Sequence, residues 1–172
     1  MEDNPQGVAF VFGDDINTSV IAPTEMLEDS ENVLTGDITE YLFNPIAPDF
    51  TDRIETGDII VAGENFGSGS ARDTAPLAIK RAEIGAVVAD SFARIFYRNA
   101  IALGLPVFAS PGVTDVVTEG DAVEIDLEDE VVRNLSTEKE NSFNGYPDEL
   151  QEVVDAGGLL PHYQQHPEGL TE

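Results

Sequence analysis

The segment Gly67-Ser68-Gly69-Ser70-Ala71-Arg72 has the clearest capacity for chemistry in this sequence. Its glycines let the backbone turn sharply and leave N–H groups exposed. An apolar strand-like run precedes it and a helical run follows it. Loop N–H groups and the positive end of a helix together make a place for an anion. Ser70 adds a hydroxyl that can gain or lose a proton. Arg72 falls in the first turn predicted for the helix, where the dipole disfavours a cation, so its expected partner is a negative group from outside. The alternative is a glycine-rich turn with Arg72 solvated or paired with Asp73, and pattern alone leaves both open. No Gly-Lys-Ser/Thr follows, so the segment is not a P-loop. Arg72 stands where a third glycine would be, so it is not a dinucleotide fingerprint either.

Charge placement supports the anion reading. Arg72, Lys80, Arg81, Arg94 and Arg98 are five of the eight cations, and they fall among only three acids, Asp73, Glu83 and Asp90. That window is net +2 in a chain of net charge −26. A cationic island in an anionic protein suits a small carboxylate. The competing reading pairs Arg94 and Arg98, four apart on one helix, with surface acids. His162 and His166 have a spacing that binds metal on a helix, but Pro161 and Pro167 bracket them and argue for a solvated tail. Asp14 and Asp15 read first as a turn or capping pair.

The elements that must position these residues follow from apolar periodicity. Strands are predicted at Val8 to Phe12, Asp58 to Ala62, 86–90 and 106–110. Helices are predicted from Thr74 to Ile84, ended by Gly85, and from Ser91, as N-cap, to Gly104. That alternation implies parallel pairing in an α/β core. Beyond it, "AVEIDLEDEVVRNL" reads as a hairpin turning at Glu128–Asp129, and "PDELQEVVDAGG" as a helix closed by glycine. Residues 24–50 have weak periodicity and read as a mobile loop with short helices. A single domain over 1–172 is expected, with the tail 161–172 frayed.

Composition excludes several classes. With 172 residues and 41% apolar content, a real core is available. The sequence has no cysteine, hence no thiolate for zinc or for an iron–sulfur cluster. No metal site is expected on this chain. No apolar run approaches the roughly 20 residues that span a bilayer. The opening "MEDNPQG" is neither a signal nor a transit peptide, and a cytoplasmic protein is expected. With 34 acids against 8 cations, nucleic acid and anionic membranes are poor partners. The regular apolar segments favour a folded protein with a solvated acidic surface, as in a salt-rich cytoplasm, over a disordered one.

"GDIIVAGENFGSGSARDTAP" followed by "SFARIFYRNAIALGLPVF" resembles the small subunits of isopropylmalate isomerases, in the aconitase superfamily. "DDINTSVIAP" is similar to that family's opening Asp-x-Ile-x-Thr motif, and the closing hairpin and helix are similar too. The resemblance implies an α/β fold: a swivelling β/β/α domain with a mainly parallel core sheet and a C-terminal hairpin plus helix. It implies a separate large subunit that carries a four-iron four-sulfur cluster, with no cofactor on this chain. It implies a hydro-lyase that isomerises a hydroxy di- or tricarboxylic acid, 2-isopropylmalate to 3-isopropylmalate in leucine biosynthesis. By position, Ser70 is the base, Arg72 holds a substrate carboxylate and Asp14 is the active-site aspartate. Gly67, Ser68, Gly69, Ala71 and Thr18 line the substrate. The family commonly reads Gly-Cys-Gly-Ser-Ser-Arg-Glu-His; here Ala71, Asp73 and Thr74 replace its second serine, glutamate and histidine. The early loop "TEMLEDSENVLTGD" is acidic and lacks arginine. A paralogue of homoaconitase or citramalate type, and a non-catalytic anion-binding module, therefore stay open.

The charge reading makes a prediction of its own. At about 1 M salt the Debye length is about 3 Å, which screens the self-repulsion of a chain this acidic. Thermal unfolding followed by circular dichroism is expected to shift upward as salt is raised into the molar range. A melting temperature independent of salt contradicts the reading.

Overall fold

The structure is a computed structural model that describes residues 4–23, 38–71 and 73–166. Its centre is a seven-stranded sheet. In chain order the elements are β1 (Gln6–Val11), α1 (Thr18–Ile21), α2 (Phe50–Arg53), β2 (Ile59–Ala62), α3 (Thr74–Arg81), β3 (Ala86–Ala89), α4 (Arg94–Leu103) and β4 (Val107–Ala109). A 3-10 turn at Val113–Asp115 leads to β5 (Ala122–Asp126), β6 (Val131–Asn134), β7 (Glu140–Ser142), α5 (Asp148–Asp155) and α6 (Leu159–Gln165). The strand order is β4-β3-β2-β1-β5-β6-β7. From β4 to β1 the pairing is parallel, and from β1 to β7 it is antiparallel. The expected parallel core and C-terminal hairpin are both present, and the hairpin is extended by β7.

Strands β2 and β3 are apolar at every position because both faces of the sheet are covered. Ile60, Ala62, Val87 and Ala89 face one core, with Ala78, Ile79, Phe96, Ala100, Val153 and Val154 from the helices. Ile59, Val61, Ala86 and Val88 face the other, with Val123, Ile125 and Val132 from β5 and β6. The period-2 alternation of a strand thus serves two cores at once. Outside the second core, Arg133 of β6 bonds Glu124, Asp126 and Glu140 at 2.7–3.0 Å, which ties β5, β6 and β7 together.

Four sequence expectations are corrected. Helix α3 stops at Arg81, short of Ile84, because Glu83 turns to φ 58° and its carbonyl accepts from Gly57 N–H. It starts at Thr74 as expected, so Arg72 precedes its first turn in sequence rather than falling within it. The N-cap of α4 is Ala93, not Ser91, whose hydroxyl instead accepts from Asn65 N–H at 2.8 Å. Finally, α6 spans His162 where a frayed tail was expected from 161. Pro161 is its third residue, a position whose N–H has no helical acceptor, so the ring is tolerated there. The acidic segment 24–37, Arg72 and Pro167 lie outside the described residues. Among the described residues no helix is long and apolar enough to cross a membrane.

Candidate active site

The parallel strands β1, β2 and β3 end at one edge of the sheet, and the segments that leave them meet there. In doubly wound sheets this edge is where ligands bind. The Asp14–Thr18 motif leaves β1, the glycine-rich loop leaves β2, and Ser91–Phe92 leaves β3. Two isolated bridges stitch them together, Asn17 to Ser68 and Phe66 to Phe92.

The first bridge sets the register of the site. Gly67 N–H donates to the Ile16 carbonyl at 2.7 Å, and Thr18 N–H donates to the Ser68 carbonyl at 2.8 Å. Asn17 caps α1 by accepting from Val20 N–H at 3.0 Å, which directs the chain away just after the pairing. The Thr18 side chain, 4% exposed, then reaches Ser70. Its Oγ1 donates to the Ser70 carbonyl at 3.1 Å and lies 3.5 Å from Ser70 Oγ. Ser70 itself is exposed. Among the described residues the N–H groups of Gly69, Ser70 and Ala71 have no hydrogen-bond partner. An exposed hydroxyl beside unspent N–H donors is an arrangement that can bind an anion or stabilise a developing one.

The second bridge gives the loop its floor. Phe66 is fully buried and meets Phe96 and Phe92 edge-on, with ring centroids 5.2 and 6.0 Å away. Gly67 sits directly over Phe96 with φ 79°. A Cβ at Gly67 would collide with the ring, and the positive φ excludes most other residues anyway. Gly63 is required for another reason. Asp14 Oδ1 accepts from Glu64 N–H at 2.8 Å, and a Cβ at Gly63 would occupy that oxygen's place.

The sequence candidates therefore divide. Ser68, Gly69, Ser70 and Ala71 lie on the loop, Gly67 at its base, and Thr18 is hydrogen-bonded to it. Asp14 is exposed but makes no hydrogen bond to Ser70; its carboxylate holds the turn after β2. Arg72 lies outside the described residues. Arg94 and Arg98 have no ion pair or hydrogen bond among the described residues, contrary to the surface-pair reading. They line a cleft of about 460 Å³ with Ser91, Phe92, Tyr97 and Ala109. Burial pushes the Tyr97 phenol further above its already alkaline range. His162 and His166 lie 5.0 Å apart by ring centroid. Among the described residues no cluster of three or more His, Asp or Glu is arranged to hold a metal ion. Sequence reasoning gave Gly63 and Asn65 no part in the site and read Ser91 only as a helix cap. The signal for Asn65 was its type, since asparagine tolerates the left-handed φ of 57° it adopts.

Residues 17–110 match the family model of the aconitase C-terminal domain. A 3-isopropylmalate dehydratase small subunit of Methanopyrus kandleri is 44% identical over 160 residues, covering 93% of this chain and 92% of that one. The chain belongs to this family of dehydratase small subunits. The Aquifex aeolicus 3-isopropylmalate dehydratase small subunit is 42% identical over 161 residues, 93% of this chain and 94% of its own. An isopropylmalate/citramalate isomerase small subunit of Methanocaldococcus jannaschii is 39% identical over 160 residues, 93% and 94% of the two chains. The crystal structure of a 3-isopropylmalate dehydratase from the same species superposes with a TM-score of 0.87 at 37% identity, over 96% of both chains.

The packing of the loop base predicts the effect of two substitutions. Gly67→Ala is expected to displace Phe96 and destabilise the fold by about 2 kcal/mol or more in urea unfolding, as overpacked or strained sites do. Gly63→Ala is expected to release Asp14 from Glu64 at a cost of about 1–2 kcal/mol. Wild-type stability in both variants would contradict the assigned packing.

Proposed function

We propose that the chain acts, as one domain over 1–172, as the small subunit of a two-subunit hydro-lyase. The complex converts 2-isopropylmalate to 3-isopropylmalate by dehydration and rehydration, in leucine biosynthesis. The observation that carries the reading is the exposed Ser70 hydroxyl, held by Thr18 beside three unspent N–H donors, in a chain whose relatives are so named.

In this reading Ser70 takes the carbon-bound proton as the hydroxyl leaves the neighbouring carbon, and on rehydration a proton goes to the carbon that lost the hydroxyl while the hydroxyl of water adds to the carbon that lost the proton. A free serine is a poor base, and each pKa unit removed requires about 1.4 kcal/mol. Two features supply part of that. Unspent N–H groups at 69–71 lower the energy of an anion at the loop. Thr18 Oγ1, 3.5 Å from Ser70 Oγ, can turn its proton from the Ser70 carbonyl to the alkoxide as the charge forms. Arg72 holds a substrate carboxylate through a bidentate pair. Gly67, Ser68, Gly69 and Ala71 present backbone to the substrate, and the small Ala71 leaves it room. Asp14 positions the loop through Glu64 N–H rather than touching substrate.

This chain has no cysteine, so it offers no thiolate set for an iron–sulfur cluster. We place the four-iron four-sulfur cluster on the large subunit, where it supplies the Lewis acid for the leaving hydroxyl. The large subunit and the hydroxy acid are then the partners of this chain, with no role for nucleic acid or membrane. Cytoplasmic localisation is part of the same proposal.

The test mixes this chain with its cluster-loaded large subunit, anaerobically, and follows the unsaturated acid formed from isopropylmalate, citramalate, homocitrate and citrate. Turnover of isopropylmalate that requires both chains is expected. Ser70→Ala should lower it by about 10²–10⁴-fold while leaving the circular dichroism spectrum and the complex intact. Equal turnover by Ser70→Ala would remove serine from the mechanism.

A further inference from the structure

The acidic surface, to which α5 adds exposed Asp148, Glu149, Glu152 and Asp155, is broken by two adjoining hollows whose linings hold no acid. The cleft holding Arg94 and Arg98 shares Tyr97 and Arg98 with an apolar groove of about 310 Å³, where Ile101, Leu150 and Leu159 come together. No residue lining either hollow is an aspartate or glutamate, although 34 of the 172 residues are. Five of the eight exposed large apolar side chains also lie on α4, α5 and α6: Ile95, Leu150, Leu159, Leu160 and Tyr163.

The two arginines stand apart from most of the other cations. Arg53 is bonded to Asp49 and Glu119, Arg133 to four carboxylates, and Lys80 to the carbonyls of Leu103 and Gly157. Arg81 is engaged as well. Among the described cations only the side chains of Arg94, Arg98 and Lys139 carry no hydrogen bond or ion pair, and the two arginines share one cleft. Arg94 is also the first residue of α4, at the end whose dipole opposes a cation. A lining of exposed arginine, tyrosine and aliphatic groups without acids has the composition of a protein interface rather than of a solvated surface.

We infer that the α4–α5–α6 face docks the large subunit, taking an apolar segment of it into the groove and its carboxylates onto Arg94 and Arg98. The inference rests on the two-subunit reading above. Its place in the fold suits that role. Ser91 and Phe92, in the wall of the cleft, are tied to the base of the Ser70 loop through Asn65 N–H and the bridge to Phe66. A partner seated on α4 therefore abuts the candidate active site. A second copy of this chain fits the face less well, because it would bring another charge of −26 against the first.

The affinity of the full chain for its large subunit tests this. Arg94→Glu and Arg98→Glu are each expected to raise Kd about tenfold or more. Lys139→Glu, the same charge change at an unbonded cation on another face, should stay within about twofold. Circular dichroism checks that each variant is folded, and Arg98→Gln replaces Arg98→Glu if charge reversal unfolds it. Unchanged Kd in both arginine variants overturns the inference while leaving the subunit reading intact. So does unchanged Kd with a raised KM, which would make the cleft a substrate site. Equal weakening by Lys139→Glu also overturns it, since the effect would then be general charge. If the wild-type chains do not associate at all, the subunit reading fails and the docking face with it.

Discussion

The site depends on a short parallel pairing between two loops. The segment leaving β1 and the segment leaving β2 exchange two backbone hydrogen bonds, Gly67 to Ile16 and Thr18 to Ser68. Everything chemical is downstream of that register. It buries Thr18 against the loop, turns the Ser70 hydroxyl outward and leaves the next N–H groups unspent. A slip of one residue would exchange the inward and outward side chains. The buried aromatic floor under Phe66 and Gly67, and the Asp14 bond at the other end of the turn, hold that register from below and from the side.

Electrostatics adds a second constraint. A chain of net charge −26 must bring an anionic substrate to its surface and, in the proposed reading, a partner protein as well. It does so by clustering cations on the segment from α3 to α4 and by leaving some of them unpaired. Away from that segment, Arg53 and Arg133 are spent on tying strands and loops to one another. Exposed ion pairs of that kind contribute little each, and the network at Arg133 matters more for the alignment of β5, β6 and β7 than for its energy.

Much of this was legible in the sequence. The runs Ile59–Ala62 and Ala86–Ala89 are apolar at consecutive positions, which marks parallel strands covered on both faces. The glycines at 67 and 69 and the Asp-x-Ile-x-Thr spacing mark the two segments that pair at the candidate site. Other features left no local trace. Strand β7 carries Glu140 and Ser142, both exposed, and exists because β6 offers it an edge. The start of α4 was misplaced because serine is both a good N-cap and a good acceptor, and the Asn65 N–H claimed Ser91. The helical pattern of α3 ran past its end because Glu83 breaks it for a tertiary bond to Gly57. Nothing in the local sequence announces that Thr18 reaches Ser70 across fifty-two positions.

That contact is the central claim, and the turnover of Thr18→Val beside Thr18→Ser in the assembled enzyme tests it most directly. Valine keeps the shape and removes the donor to Ser70. The account predicts that Thr18→Val loses about tenfold or more in kcat, on the scale of one hydrogen bond, with KM and partner affinity little changed, and that Thr18→Ser restores it. Wild-type kcat in Thr18→Val would contradict the account.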